Sequence, residues 1–347
     1  MPRSFLAFTL ATLFPLPFLL AGAIFGGWAV WIALFYMTAV VAGIDVVVPA
    51  LSRDGEAAED EEADMLSLML VGVHFFLLFL MIWALSGHGT ALLSINGIAL
   101  FIAAGLYFGQ VSSANAHELI HRGSYGMRRA GSAVYTSLLF GHYASCCLRI
   151  HDPFVGTERD PASAKMGQTI YQYLGRNWLT GFAIGLKAEN QHLTKLGADR
   201  WDRRNPFLQY VGGAVALLLL SLLIAGWSGV VVCVLLSLFA QLQILLCNYV
   251  QHYGLERSTD EHGNYAPVNV THSWNAPHWM SSLLMLNMPR HSDHHVHPEK
   301  RFTLLDIPAR GEAPMLPYSL PVMSCIALHA AQWRKVMDPH VEAWRSA

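Results

Sequence analysis

The chain has 347 residues, of which 54% are hydrophobic and only 13% charged. Soluble domains carry about 25% charge, so this composition, with a mean hydropathy of +0.36, argues against a soluble enzyme, a disordered chain or a disulfide scaffold. The 22 Lys and Arg nearly balance 24 Asp and Glu, which gives no support to a nucleic-acid partner. Five cysteines without CxxC spacing demand no oxidising compartment, whereas 17 histidines and 10 tryptophans are unusual.

In chain order, the apolar runs predict six membrane spans, at residues 5–25, 27–51, 66–85, 91–110, 210–225 and 230–250. Each approaches the roughly 20 residues that a bilayer requires. The first run lacks a small-x-small cleavage site and leads directly into the second, so it is read as mature protein. Residues 226–229 alone separate the last two, which predicts a tight helical hairpin. The turns near Gly26, Gly87–Thr90 and Gly226–Gly229 carry no Lys or Arg, while Arg53, Arg122, Arg128, Arg129 and Arg149 fall on the other side with the C-terminal segment. The positive-inside rule then makes that side, and both termini, cytoplasmic. Residues 53–64 read as an acidic solvated connection. The expected fold is an all-α integral membrane protein, a single domain over residues 1–347. Six transmembrane helices carry a cytoplasmic histidine-rich metal-binding cap, built from residues 111–209 and 251–347.

Four polar groups flank these spans on the predicted cytoplasmic side. His117 and His121, in His-Glu-Leu-Ile-His, lie one helical turn apart and can share a metal. That short pattern alone is also the pattern of a zinc peptidase with Glu118 as base. Cys147 and His151 repeat the spacing, with Asp152 adjacent. His252 closes the sixth span, and His291, His294, His295 and His297 crowd one short tract. Spans four and six both run toward the cytoplasm, so these groups can converge on one site. Imidazole suits iron as well as zinc. A metal-binding or transport protein is the non-enzyme alternative, since Asp45 and His74 lie within spans.

At these motifs the chain resembles the membrane-bound alkane 1-monooxygenases of the fatty-acid desaturase and hydroxylase superfamily. The resemblance covers roughly residues 45–341 and rests on HELIHR at 117–122, DPAS at 160–163, NYVQHYGLER at 248–257, HSWN at 272–275 and PRHSDHHVHPEKRF at 289–302. It implies a non-haem diiron centre, with two Fe ions held by nine histidines, that hydroxylates a terminal C–H bond of an apolar chain using O2. It further implies a rubredoxin-type electron donor with its reductase, and a multi-pass location in a bacterial inner membrane. The metal positions carried over are His117, His121, His151, His252, His291, His294 and His295, with Cys147 and Asp152 standing where two further imidazoles are expected. His142, His272 and His297 match the motifs' surroundings. Glu118 and Asp293 are expected to act on the ligands from outside, Asp293 by orienting His294 or His252. Gln251 stands where the family commonly has Glu. Fatty-acid or lipid desaturation or hydroxylation, or a catalytically impaired member, remain the alternatives.

Overall fold

A computed structural model describes residues 3–48, 60–309 and 311–346. Residues 53–59 of the acidic connection expected at 53–64, and the last residues of the second predicted span, therefore lie outside the described residues, while residues 60–64 are not a loop but the start of a helix. Among the described residues the chain is helical, with only two isolated β-bridges. Five segments are long and apolar enough to cross a membrane. We label them α1 (Phe5–Phe25), α2 (Trp28–Val47), α3 (Glu61–His88), α4 (Ile95–Ile120) and, further along, α8 (Pro206–His252). The cap elements are α5 (Tyr125–Ser137), α6 (His142–Cys146), α7 (Ile170–Lys195), α9 (Trp279–Leu284), α10 (His291–Val296), α11 (Leu320–Ala327) and α12 (Ala330–Arg345).

The fifth and sixth predicted spans together form α8, which is 47 residues long and is broken by non-helical angles at Ala225 and Gly226. Gly226 has φ 63°, a left-handed conformation that glycine adopts without steric cost. Three residues later a Cβ on Gly229 would stand 2.3 Å from the Ser221 carbonyl oxygen, so the second arm leaves the break pressed against the first. The predicted hairpin thus takes its shape from two glycines. A similar join closes the same end of the bundle at the α1–α2 and α3–α4 turns. There Thr90 donates its backbone N–H to Ala23 and its hydroxyl to Gly22, at 3.0 and 2.7 Å.

Two polar side chains inside the spans find structural partners, as hydrocarbon surroundings require. Asp45 accepts the backbone N–H groups of Met280 and Ser281 at 2.8 and 3.1 Å, capping α9 from across the bundle. His74 pairs with the Ser137 hydroxyl at 2.7 Å, joining α3 to α5. Both uses weaken the transport reading, in which such groups would line a path.

The apolar interior forms two cores. One lies among the spans and includes Leu19, Leu78, Leu100 and Leu236. The other lies beneath the cap and includes Tyr135, Tyr249, Trp274 and Trp333. In α12, Trp333, Met337 and Val341 recur every four residues and are buried, closing the second core against the end of α8.

Candidate metal centre

The ends of α4 and α8 meet α10 between the two cores. The α4 helix passes through a π-turn at Phe108–Ser112 and then presents His117 and His121 from one face. Their rings lie 4.9 Å apart, and each comes within 5 Å of the His294 ring, at 4.6 and 4.9 Å. Beside this trio stands a second group. His151, His252, His291 and His295 bring ring nitrogens within 4.8 Å of one another. His291 receives the Nε2 atoms of His252 and His295 at 3.0 and 3.1 Å from its own. All seven rings are buried, the His121 side chain being 4% exposed although the residue as a whole is intermediate.

The α10 helix joins the groups. It is only six residues long, yet it sends His294 to the trio and His291 and His295 to the quartet. Successive residues on a helix point about 100° apart, so adjacent His294 and His295 can serve neighbouring positions. So short a helix cannot fix its own orientation. Buried Asn275 does so from outside, its Oδ1 accepting the Ser292 N–H at 3.0 Å and its Nδ2 donating to the Ser292 hydroxyl at 2.6 Å. Ser292 in turn donates to the Ser273 carbonyl at 2.8 Å. Gln251, next to His252, donates its amide to the Met288 carbonyl at 3.3 Å, a bond that a glutamate carboxylate lacks the hydrogen to make.

Electrostatics keep most of these imidazoles neutral, the form that ligates metal. Burial, then neighbouring histidines, holds His121, His291 and His295 well below the usual imidazole range. Burial takes His294 down to about 4. His151 differs. Burial works to lower it, but the Asp160 carboxylate, hydrogen-bonded to Nδ1 at 2.9 Å, outweighs this and raises it. A carboxylate behind an imidazole is the arrangement that orients metal-bound histidines. Asp160 also accepts the Ala162 N–H and the Ser163 hydroxyl, so the DPAS stretch is a preformed cradle. Convergent ring nitrogens, with buried His121 and His151 Nε2 atoms that have no hydrogen-bond partner, fit a metal ion at each group.

The two residues standing for missing imidazoles are placed differently. Asp152 brings a carboxylate oxygen to 3.8 Å from His121 Nε2, at the edge of the trio. Burial raises its pKa to about 7. Cys147 belongs to neither group. It is buried in the second core beside Tyr143, and burial, then Asp152, pushes its thiol well above the usual range. The physical reason is the π-turn at Cys147–His151. The i,i+4 spacing was expected to align Cys147 with His151, but a π-turn bonds i to i+5 and shifts that register.

The outer residues also sort themselves. Glu118 accepts from the Arg122 guanidinium and, at 3.0 Å, from the Phe302 N–H. It thereby ties α4 to the C-terminal segment and is engaged structurally, unlike a peptidase base. Asp293 does not hydrogen-bond His294 or His252 as expected. Its oxygens instead face His297 Nδ1 at 3.0 Å, Lys300 Nζ at 2.7 Å and the Asp306 N–H at 2.7 Å. Adjacency in sequence misled here because i and i+1 on a helix face different ways. His142 packs edge-on against Phe140 and Phe182, and His272 accepts the Asn269 N–H at 3.1 Å, so both have other partners. Sequence reasoning missed Asp160 and Asn275 as site residues although both lie in quoted motifs. No spacing rule links either to its histidine.

On the membrane side of the site, an apolar cavity of about 780 Å³ opens between α2, α4, α8 and α11. Leu106, Phe239, Leu246 and Met285 help to line it.

Comparison with known proteins gives a matching context. Residues 91–327 match the family model described as fatty acid desaturase. The chain is 31% identical over 281 residues to alkane 1-monooxygenase of Ectopseudomonas oleovorans, covering 81% of this chain and 69% of that protein. It is 27% identical over 323 residues to alkane 1-monooxygenase 2 of Pseudomonas aeruginosa, covering 90% and 84%. It is also 25% identical over 333 residues to the xylene/toluene monooxygenase hydroxylase component of Pseudomonas putida, covering 94% and 86%.

Proposed function

The chain belongs to the fatty acid desaturase family and, within it, to the alkane 1-monooxygenases, and from that membership we propose a non-haem diiron monooxygenase that hydroxylates a terminal C–H bond of an alkane or similar apolar chain. The observation that carries this reading is the pair of buried imidazole groups sharing α10 at one end of an apolar bundle. His117, His121 and His294 would hold one iron, with Asp152 at its edge, and His151, His252, His291 and His295 the other. Iron bound there would supply O2 activation, chemistry that belongs to the metal more than to the protein.

The chain's own residues supply the surroundings. Asp160 orients His151 through its Nδ1. Asn275 and Gln251 hold α10 and the end of α8 in register. The two apolar cores exclude water from the site, and the cavity beside Met285 receives the hydrocarbon from the bilayer. Electrons come from an external carrier of the rubredoxin type. The protein is a multi-pass membrane oxidoreductase, which we assign to a bacterial inner membrane with its termini and metal centre cytoplasmic and the whole chain acting as one domain. The relative named for xylene and toluene motivates a second substrate class, methyl groups on aromatic rings.

The test is iron analysis together with product detection on octane, a longer alkane, toluene and a fatty acid, each with a competent electron donor. Two irons per chain with 1-alkanol formation are expected. Iron-loaded protein that oxidises only the fatty acid would overturn the alkane assignment.

A further inference from the structure

The α7 helix is not among the candidate spans, yet part of its surface is that of a lipid-facing helix. Tyr173, Gly181, Gly185, Glu189 and Leu193 form its buried side. A Cβ on Gly185 would meet the Cys146 sulfur at 2.9 Å, so this side packs directly on α6. Trp178, Leu179 and Phe182 are exposed, Leu179 at 84%. Towards the C-terminus the exposed residues become Lys187, Gln191 and Lys195.

Contacts with α8 place this surface relative to a bilayer. The second arm of α8 runs from Trp227, itself exposed beside the break, to His252. At about 1.5 Å per residue, Gln241 lies about 21 Å and Tyr249 about 33 Å along that arm. The Trp178 indole donates to Gln241 Oε1 at 2.9 Å, and the Tyr173 ring packs 5.3 Å from Tyr249. Phe182 packs 5.2 Å from Phe207, which lies about 27 Å from the break along the first arm. A hydrocarbon core about 30 Å thick with one boundary at Trp227 has its other boundary between these marks. The helix therefore runs along that boundary, with Trp178 reaching inward and Tyr173 outward. On α8, Leu208, Val211, Val215 and Leu219 form a likewise exposed apolar row.

We propose that α7 is an interfacial helix half-sunk in the leaflet on the histidine side, its partner being the lipid bilayer itself. Trp178, Leu179 and Phe182 lie among acyl chains, and Lys187 and Lys195 lie among anionic headgroups. Amphipathic helices with aromatic residues on one side and basic residues on the other bind membranes in this manner. Through Gly181 and Gly185, the lipid surface then stands one helix away from the segment that carries His151.

Nitroxide labels at Leu179→Cys and Gln191→Cys, each in a Cys325→Ser background, test this in nanodiscs of phosphatidylglycerol and phosphatidylethanolamine. Metal content equal to that of the unlabelled protein verifies the fold. The ratio of relaxation by O2 to relaxation by a water-soluble nickel chelate is expected to be several-fold higher at 179 than at 191. Nickel access at 179 equal to that at 191 would overturn the proposal by placing α7 in water. Exclusion of both relaxants from 179 would overturn it by placing a protein surface there.

Discussion

Asp160 and Asp152 are both carboxylates near the histidine groups, and the structure gives them different work. Asp160 touches a ring nitrogen that faces away from the quartet, so it controls how firmly His151 is presented. Asp160→Asn keeps the shape but removes the charge. Loss of such outer partners lowers metal affinity about 10–100-fold, and that loss is the outcome expected from competition with a chelator. Asp152 stands at the edge of the trio, whereas Cys147 is packed in a core. Asp152→Ala is therefore expected to lower the metal content per chain in elemental analysis. Cys147→Ala is expected to leave the stoichiometry intact and cost about 1 kcal/mol of packing. Equal metal loss from both variants would contradict the register set by the π-turn.

At the scale of elements, α10 and the α8 break are the sensitive points. Asn275→Ala strands the Ser292 N–H and the buried groups around it, an expected loss of about 1–3 kcal/mol. Since α10 feeds both histidine groups, both metals are expected to leave together on titration with chelator; sequential loss would show that the groups are held independently. At the break, Gly229→Ala forces a methyl onto the Ser221 carbonyl and is expected to destabilise by about 1–3 kcal/mol. At Gly226, where an added Cβ meets nothing within 4 Å, alanine adds only backbone strain, of about 1–3 kcal/mol, since φ 63° with ψ −155° is essentially a glycine conformation. Thermal unfolding in detergent measures both. These elements also show what could be read from the sequence. The long apolar helices were legible because apolar length is a local property, and His117 with His121 was legible because helical spacing is local. The role of Asn275 was not, because it acts on a residue 17 positions away through a loop. Nor was the displacement of Cys147, because a π-turn leaves no simple periodic mark.

The whole molecule has two ends of different chemistry. The α1–α2 and α3–α4 turns are bound together at one end by Thr90, and the histidine groups gather where α4 and α8 finish. The proposed cytoplasmic placement of that second end rests on the arginines near it. Cysteines introduced at exposed Leu93 and exposed His262, in a Cys325→Ser background, test it in intact cells. A membrane-impermeant reagent is expected to label 93 and spare 262. Labelling of 262 alone would invert the topology and move the electron donor to the other side of the membrane.

The shared helix α10 makes metal uptake a collective event. An ion captured by His117, His121 and His294 would add to the hold that Asn275 already has on α10, and so on His291 and His295 of the neighbouring group. The second ion then meets a site whose competent population has already risen, and its apparent affinity increases by that factor. Filling should therefore be sigmoidal, with chains carrying a single ion scarce at half saturation. Under limiting metal, such a protein would divide into full and empty molecules instead of accumulating half-loaded ones.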